Sequence, residues 1–554
     1  MSLNQETIKR IEEWIQDDPD PITQSQTKEL LASASGGDQQ AIDTLQICFG
    51  PILQFGTAGL RGPLGPGPSC MNRAVVGRAA AGLCNYLKAK NLRKLIVGYD
   101  ARHNSYRFAL DTVEIAAGLG IESLLLPNAL PTPVLSFAIR YYSADAGVMV
   151  TASHNPAADN GYKVYLGDGS QIISPVDSEI AAQIDAVTSV AALKRGDTYQ
   201  VLDETAVEAY IERTSSLVHP QISRTIRVAS TSLHGVGDEV WQKVFYKAGF
   251  TSLHVVESQQ SPDPDFPTVR FPNPEEQGAT DLLIELARQQ DADVAIAHDP
   301  DADRCACAIK DNGIWRLLRG DELGSLLAWW LIERAQVLNL DAPRGTFASS
   351  IVSSTLLEAI AHKHNLNYQS TLTGFKWISK IPDLAFGYEE ALGYCVDPKV
   401  VRDKDGISAA IVVVELAAYL KSKDLSISDV LQQIADEYGV YITDQLSVRF
   451  ANLALIPEAI KRLRENPPTK VAGLDVQEIV DLQNGWKHLP PTNGMMLLLD
   501  GGRVIARPSG TEPKLKCYLE VTIKSSDIEK AQNKASQLLK DMKSDMAIAL
   551  GVSS

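Results

Sequence analysis

A chain of 554 residues, 45% hydrophobic and 22% charged, carries apolar material for several buried cores and roughly three or four domains, which excludes global disorder. A formal net charge of −16 argues against a binder of nucleic-acid backbones, yet leaves room for an anionic small molecule gripped by a local cluster of Arg and Lys. Seven cysteines, odd in number and scattered, are poor material for a disulfide framework and fit a reducing, cytoplasmic setting.

From the start of the chain, Ile8, Ile11 and Ile15 recur at helical spacing, so MSLNQETIKRIEEWIQDD reads as a short amphipathic helix and not a signal peptide. Strand and helix patterns then alternate, the signature of α/β architecture with mainly parallel sheets. Several short apolar strands run directly into polar loops: KLIVGYDARHN at Asp100, GVMVTASHNP at Ser153, DVAIAHDPDADR at its aspartates, LAFGYEEALGY at paired glutamates. Ligands of open α/β sheets gather beyond the carboxyl ends of strands, so these loops are expected to face one cleft. Cys305 and Cys307 read as alternate strand positions, since no second cysteine pair lies near to complete a zinc site. A second unit starts near residue 205; the Pro-rich stretch from Ser261 is an irregular connection within it. GDELGSLLAWWLIER opens a third unit. The last ~110 residues, with strands SVRF, VIARP and LKCYLEVT and a helix near Ile528 to Met542, form a smaller α+β domain. The longest apolar stretches fall short of the ~20 residues that a membrane span needs, so no membrane partner is expected.

HDPDADR carries the sharpest chemistry. Asp299, Asp301 and Asp303 crowd one turn, repel one another without a cation, and as oxygen-only ligands select a hard ion such as Mg²⁺. An EF-hand would need Gly at its sixth position and Glu at its twelfth, where Arg304 and Lys310 stand. Arg304 beside a metal suits a phosphoryl group. RPSGTEPKLK gathers anion-binding groups: the Arg507 fork, the hydroxyls of Ser509 and Thr511, close backbone approach at Gly510, and Lys514 and Lys516 nearby. A polar turn between strands has the same composition. Glu389 and Glu390 could accept hydrogen bonds from sugar hydroxyls, act as acid and base, or merely begin a helix.

Ser153 allows three readings. In a hydrolase His154 would have to reach its oxygen, but adjacent residues usually diverge and no G-x-S-x-G elbow is present. Ser153, Asn155 and Pro156 also make an ordinary turn. A phosphoryl carrier needs a metal, an arginine, a base and a second phosphate clamp, and the chain offers each.

These loops together resemble the α-D-phosphohexomutase superfamily. TASHNP resembles its phosphoserine loop, HDPDADR its metal loop, GYEEALG its sugar loop and RPSGTEP its phosphate-binding loop, in the family's order over about residues 50 to 525. FGTAGLRG, with Arg61, resembles its N-terminal active-site motif. The ~50 residues before FGTAGLRG, LTGFKW around Gly374 and Lys376, and VRDKDG around Asp403 are similar to the phosphoglucomutase-2 branch, which holds phosphoglucomutases and phosphopentomutases.

The resemblance implies three related mixed-sheet α/β domains (1–204, 205–317, 318–440) and a C-terminal α+β domain (441–554) around a central cleft. It makes Ser153 the phosphorylated serine, which with Asp299, Asp301 and Asp303 holds Mg²⁺, and Lys163 a general acid/base, for which a lowered pKa would be needed. Arg61 and His154 would support the transferring phosphate. Arg304, Gly374, Lys376, Glu389 and Glu390 would bind substrate; Arg507, Ser509, Gly510, Thr511 and Lys516 would clamp the other phosphate. The implied activity interconverts glucose 1-phosphate and glucose 6-phosphate through a bisphosphate, glucose 1,6-bisphosphate, that turns round in the site. Glucose-specific relatives usually show a serine after the paired glutamates where Ala391 stands, so a phosphopentomutase is the alternative, ahead of a phosphomannomutase. A phosphatase or a silent sugar-phosphate binder lies further off.

Overall fold

The computed structural model describes residues 3–450, 455–508 and 514–552. Its first elements are three helices, Gln5–Asp17, Pro21–Ser35 and Gln39–Cys48. Each begins on a side-chain cap: Asn4 accepts from the Thr7 N–H, Asp20 from Ile22, and Asp38 from Gln40 and Ala41, which satisfies donors that have no partner inside a helix. The expected apolar stripe places Ile11 in a small core with Ile42, Leu45 and Phe49. Asp17, at the end of the first helix, accepts from Arg78, the Ser189 hydroxyl and the amides of Val190 and Ala191, and so pins this extension to the α/β layer that follows.

With these helices part of the first, the chain forms two compact units: Met1–Ala308 with Gly393–Ala418, and Ile309–Leu392 with Tyr419–Ser554. The first unit has two sheets. In one, the strands Lys94–Tyr99, Glu122–Leu125 and Ala146–Val150 are parallel, and Asp159–Leu166 turns back antiparallel against Ala146–Val150, carrying Leu60–Pro63 on its other edge. The expectation of mainly parallel sheets therefore becomes a mixed sheet, because TASHNP is a tight turn back into its neighbour. In the other, Arg227–Thr231, Ser252–Val255 and Val294–His298 are parallel, and the strand from Cys305 returns antiparallel with Cys305 opposite His298. Cys305 and Cys307 are alternate, buried positions on that strand, as their spacing implies. The Ser153 loop and the aspartate loop are thus both turns at strand ends.

In the second unit Thr346–Ser350, Asn367–Thr371 and Leu384–Glu389 form a parallel layer. An antiparallel sheet of Val440–Arg449, Lys514–Ile523, Gly502–Pro508, Met495–Leu499 and Leu474–Asp481 follows, with the helix Ile528–Leu550 against it. That helix runs past the expected end near Met542, since Met546 and Leu550 continue its buried stripe and Gly551, at φ 68°, supplies the left-handed stop. No helix among the described residues is long and apolar enough to cross a membrane.

Candidate active site

Ser153 is reached from a completely buried strand, Ala146–Val150, and adopts a left-handed backbone, φ 53°. A non-glycine residue holds that conformation only when its surroundings enforce it. Here the Thr151 hydroxyl accepts from the Ser153 N–H at 2.9 Å, and the Ser153 hydroxyl donates to Asp299 Oδ2 at 2.8 Å. His154 Nδ1 lies 3.3 Å from Ser153 Oγ, nearer than chain adjacency alone suggests. Burial, with Arg304 and Arg61 close by, pushes the His154 pKa well below its ordinary value, so the ring is neutral.

The turn 299–304 packs against a second loop that permits close approach. A Cβ on Gly235 would collide with the Pro300 backbone, and the Val236 amide donates to the Pro300 carbonyl at 2.8 Å. All three aspartates are buried, and one ligand oxygen from each lies within 4.8 Å of the others. Asp299 Oδ1 accepts from the Arg304 amide; Asp301 Oδ2 accepts from the Thr132 hydroxyl at 2.6 Å. Lys163 Nζ bridges Asp301 Oδ2 at 2.7 Å and Asp303 Oδ2 at 3.0 Å, and Lys404 Nζ reaches the same Asp303 oxygen at 3.1 Å. Arg304 Nε lies 3.8 Å from Asp299 and 3.9 Å from Asp303, and its Nη1 lies 3.8 Å from Glu275.

Burial and two like charges push the Asp299 carboxyl well above its usual range. Burial works against the charge of Asp303 too, but Lys163, Lys404 and Arg304 hold it below that range. Lys163 lacks the lowered pKa that service as a base would need. Burial disfavours its ammonium, yet Asp301 and Asp303 raise its pKa, so it stands protonated. Asp301 Oδ1 and Asp303 Oδ1 are buried and accept no hydrogen bond among the described residues. Buried carboxylate oxygens left open beside a third carboxylate fit a hard divalent cation, so the trio suits Mg²⁺.

Arg61 sits on Leu60–Pro63, whose register sets it opposite Gly161, and its Nη1 donates to Asn155 Oδ1 at 3.3 Å. Burial lowers its pKa against the pull of Asp301 and Asp303. The first unit therefore gathers Ser153, His154, Arg61, Lys163, the aspartates and Arg304. Lys404, within VRDKDG, joins this cluster, and no local pattern in the sequence links it to the aspartates about 100 residues away. Its segment, 393–418, joins the first unit because Asp403 accepts from Tyr165 and Gln171 and Asp405 from Tyr210.

The second unit holds the remaining candidates. Gly374, at φ 107°, precedes the short helix Phe375–Ile378 that carries Lys376. Glu389 ends the strand Leu384–Glu389, and Glu390 Oε2 accepts from the hydroxyls of Ser350 at 3.0 Å and Ser353 at 3.2 Å. Those serines, at the end of a neighbouring parallel strand, had no signal in the sequence that linked them to the glutamates. Arg507 and Lys516 face each other across two antiparallel strands. Ser509, Gly510 and Thr511 lie outside the described residues.

Four family models match the chain in order: phosphoglucomutase/phosphomannomutase alpha/beta/alpha domain I over residues 53–191, domain II over 208–313, domain III over 319–438, and the C-terminal domain over 447–536. Fold and matches together define a phosphomutase, an isomerase that moves a phosphoryl group within a sugar phosphate. The chain belongs to the phosphoglucomutase/phosphomannomutase family of the α-D-phosphohexomutase superfamily. A protein of Haemophilus influenzae named probable phosphomannomutase is 48% identical, over 81% of this chain and 93% of its own length. The human phosphopentomutase is 35% identical over 97% of this chain and 94% of its own. A Staphylococcus haemolyticus phosphoglucomutase is 35% identical over 88% and 94%. Three relatives carry three substrate names.

Proposed function

We propose that the protein interconverts glucose 1-phosphate and glucose 6-phosphate, with Ser153 alternately phosphorylated and free. The observation that carries this reading is the Ser153 hydroxyl 2.8 Å from Asp299, inside a carboxylate trio that two lysines and Arg304 flank. In the forward half, the Ser153 Oγ–P bond breaks as a sugar hydroxyl bonds to phosphorus, and the hydroxyl's proton ends on the freed Ser153 Oγ, giving the bisphosphate. After the bisphosphate turns round, the sugar O–P bond of its other phosphoryl group breaks as Ser153 Oγ bonds to that phosphorus; the freed sugar oxygen takes a proton from Lys163, which the Ser153 proton replaces. Arg304, Arg61 and Lys404 offset charge on the moving oxygens, and neutral His154 lends a ring nitrogen beside Oγ. Protonated Lys163 is in the form that returns a proton to the sugar oxygen freed in the second half. Mg²⁺ on Asp299, Asp301 and Asp303 would neutralise phosphoryl charge. Glu389 and Glu390 would read sugar hydroxyls, and Gly374 and Lys376 would bind the same substrate. Arg507 and Lys516, with Ser509, Gly510 and Thr511, would hold the non-reacting phosphate. A cytoplasmic enzyme with only a small phosphosugar partner is the matching setting.

A pentose 1-phosphate to 5-phosphate reaction is the second reading, favoured by Ala391, which offers no hydroxyl after the paired glutamates, and by the human relative's name. Turnover of glucose 1-phosphate, ribose 1-phosphate and mannose 1-phosphate by wild type and Ser153→Ala, with Mg²⁺ and bisphosphate present, separates these. Faster ribose turnover would replace glucose as substrate. Undiminished turnover in Ser153→Ala would remove the phosphoserine.

A further inference from the structure

The loop that ends KLIVGYDARHN has no part in the chemistry above, yet its arginine is among the most completely enclosed cations in the first unit. The Arg102 side chain is 1% exposed. Its Nη2 donates to the carbonyls of Ser153 at 2.6 Å and Asn155 at 2.5 Å; its Nη1 donates to those of Pro156 at 2.8 Å and Asp159 at 3.2 Å. One guanidinium therefore collects four carbonyls of a single loop, the loop of the serine. Asp100 steadies it from the other side: Oδ1 accepts the Arg102 amide at 3.0 Å, and Oδ2 lies 3.4 Å from Nε.

The Pro-rich stretch from Ser261 supplies a cover. Phe266, buried and itself left-handed at φ 47°, sets its ring 4.9 Å from the Arg102 Cζ, and neighbouring Asp265 meets His103 Nε2 at 2.7 Å. Water cannot easily replace the guanidinium at those carbonyls beneath such a lid. Only arginine presents a planar fork that can serve four acceptors; a lysine ammonium is a compact point with three donors.

We propose that Arg102, sealed by Phe266, is a positioning residue that holds the 153–159 loop in the left-handed conformation aiming Ser153 Oγ at the phosphoryl group. This rests on the reading of Ser153 as phosphoryl carrier. Arg102 bonds the serine's carbonyl and not its Oγ, so it acts through the loop alone. A misplaced nucleophile slows transfer without weakening substrate binding.

The test compares Arg102→Lys and Phe266→Ala with Arg73→Lys, a control arginine that pairs with Asp111 in the same unit. Turnover, KM for the aldose 1-phosphate, serine phosphorylation by labelled bisphosphate, and hydrogen exchange of amides 152–159 are measured on the full chain, each variant equally far below its unfolding midpoint. Arg102→Lys is expected to lose roughly 100-fold in kcat with KM within about threefold, with serine phosphorylation slowed in step. Phe266→Ala follows by roughly tenfold, and both exchange faster at 152–159, while Arg73→Lys does neither. Retained kcat in Arg102→Lys, or a KM rise matching its kcat loss, would overturn the proposal. If Arg102→Lys does not fold, unchanged kcat and exchange in Phe266→Ala overturn it instead. Loop exchange is read whatever the protein turns over. An inert wild type therefore sinks the mutase reading, whereas unchanged loop exchange sinks the positioning role.

Discussion

Each compact unit buries a knot of charge, and the two are finished differently. In the first, Asp299, Asp301 and Asp303 crowd together, and Asp301 Oδ1 and Asp303 Oδ1 accept no hydrogen bond among the described residues. In the second, every oxygen of Asp321 and Glu520 is occupied. Asp321 Oδ1 accepts from the Ser354 amide at 2.7 Å and the Tyr388 hydroxyl at 3.0 Å, and Oδ2 from Thr443 at 2.7 Å. Glu520 Oε1 accepts from the Ser354 hydroxyl and the Thr355 amide, both at 2.7 Å, and Oε2 from Arg503 at 2.7 Å, while Arg503 also donates to the Ser353 carbonyl. A buried polar group left open costs stability and is kept where a ligand closes it; a closed network is architecture. The first knot is poised for chemistry, and the second holds a fold together.

The contrast can be broken from either side. The largest effect belongs to Ser153→Ala, expected to reduce mutase turnover on the order of 10⁴-fold or more while thermal unfolding barely moves. Next, Glu520→Ala should destabilise its unit by about 3–5 kcal/mol in urea unfolding, because Arg503 and two donors lose their acceptor in a buried site. Equal damage to stability by Asp301→Asn would erase the distinction between the knots. That variant is expected to weaken Mg²⁺ activation by at least roughly tenfold, read by titrating turnover with Mg²⁺.

The pH dependence of the closed knot is smaller. Burial pushes the Asp321 carboxyl up to about 7 from an ordinary 3.8, so in the native state it keeps a proton that the unfolded chain has lost. Its contribution is complete below about pH 4 and fades as pH rises toward 7, with a slope of up to about 1.4 kcal/mol per pH unit. Asp321→Asn should flatten this part of the stability profile, measured by urea midpoints across that range. A slope that persists would place its source elsewhere. Last, Ala391→Ser, which restores a hydroxyl after the paired glutamates, is expected to shift the glucose-to-ribose turnover ratio toward glucose by roughly tenfold or less.

Much of the open knot was legible in the chain because its members are crowded there. Three alternating aspartates in one turn mark a candidate cation site, and a polar loop after an apolar strand marks a sheet's ligand end. The closed knot left no trace, since Asp321, Ser354, Thr443 and Glu520 are each unremarkable and far apart. Lys404 and Arg102 were hidden in the same way. Each stands in a quoted motif, but its partners lie about 100 and 50 residues away.

Alternating strand and helix patterns, the aspartate trio and the ordered loops were set by local chemistry, because side-chain periodicity and short-range charge repulsion act over a few residues. The tertiary structure alone decided the rest. It set Lys163 as a protonated bridge between two aspartates, brought residues 393–418 back to the first unit, and placed four serine-loop carbonyls on one buried guanidinium. Those outcomes depend on desolvation and on which distant groups share a small volume, and no spacing along a chain encodes either.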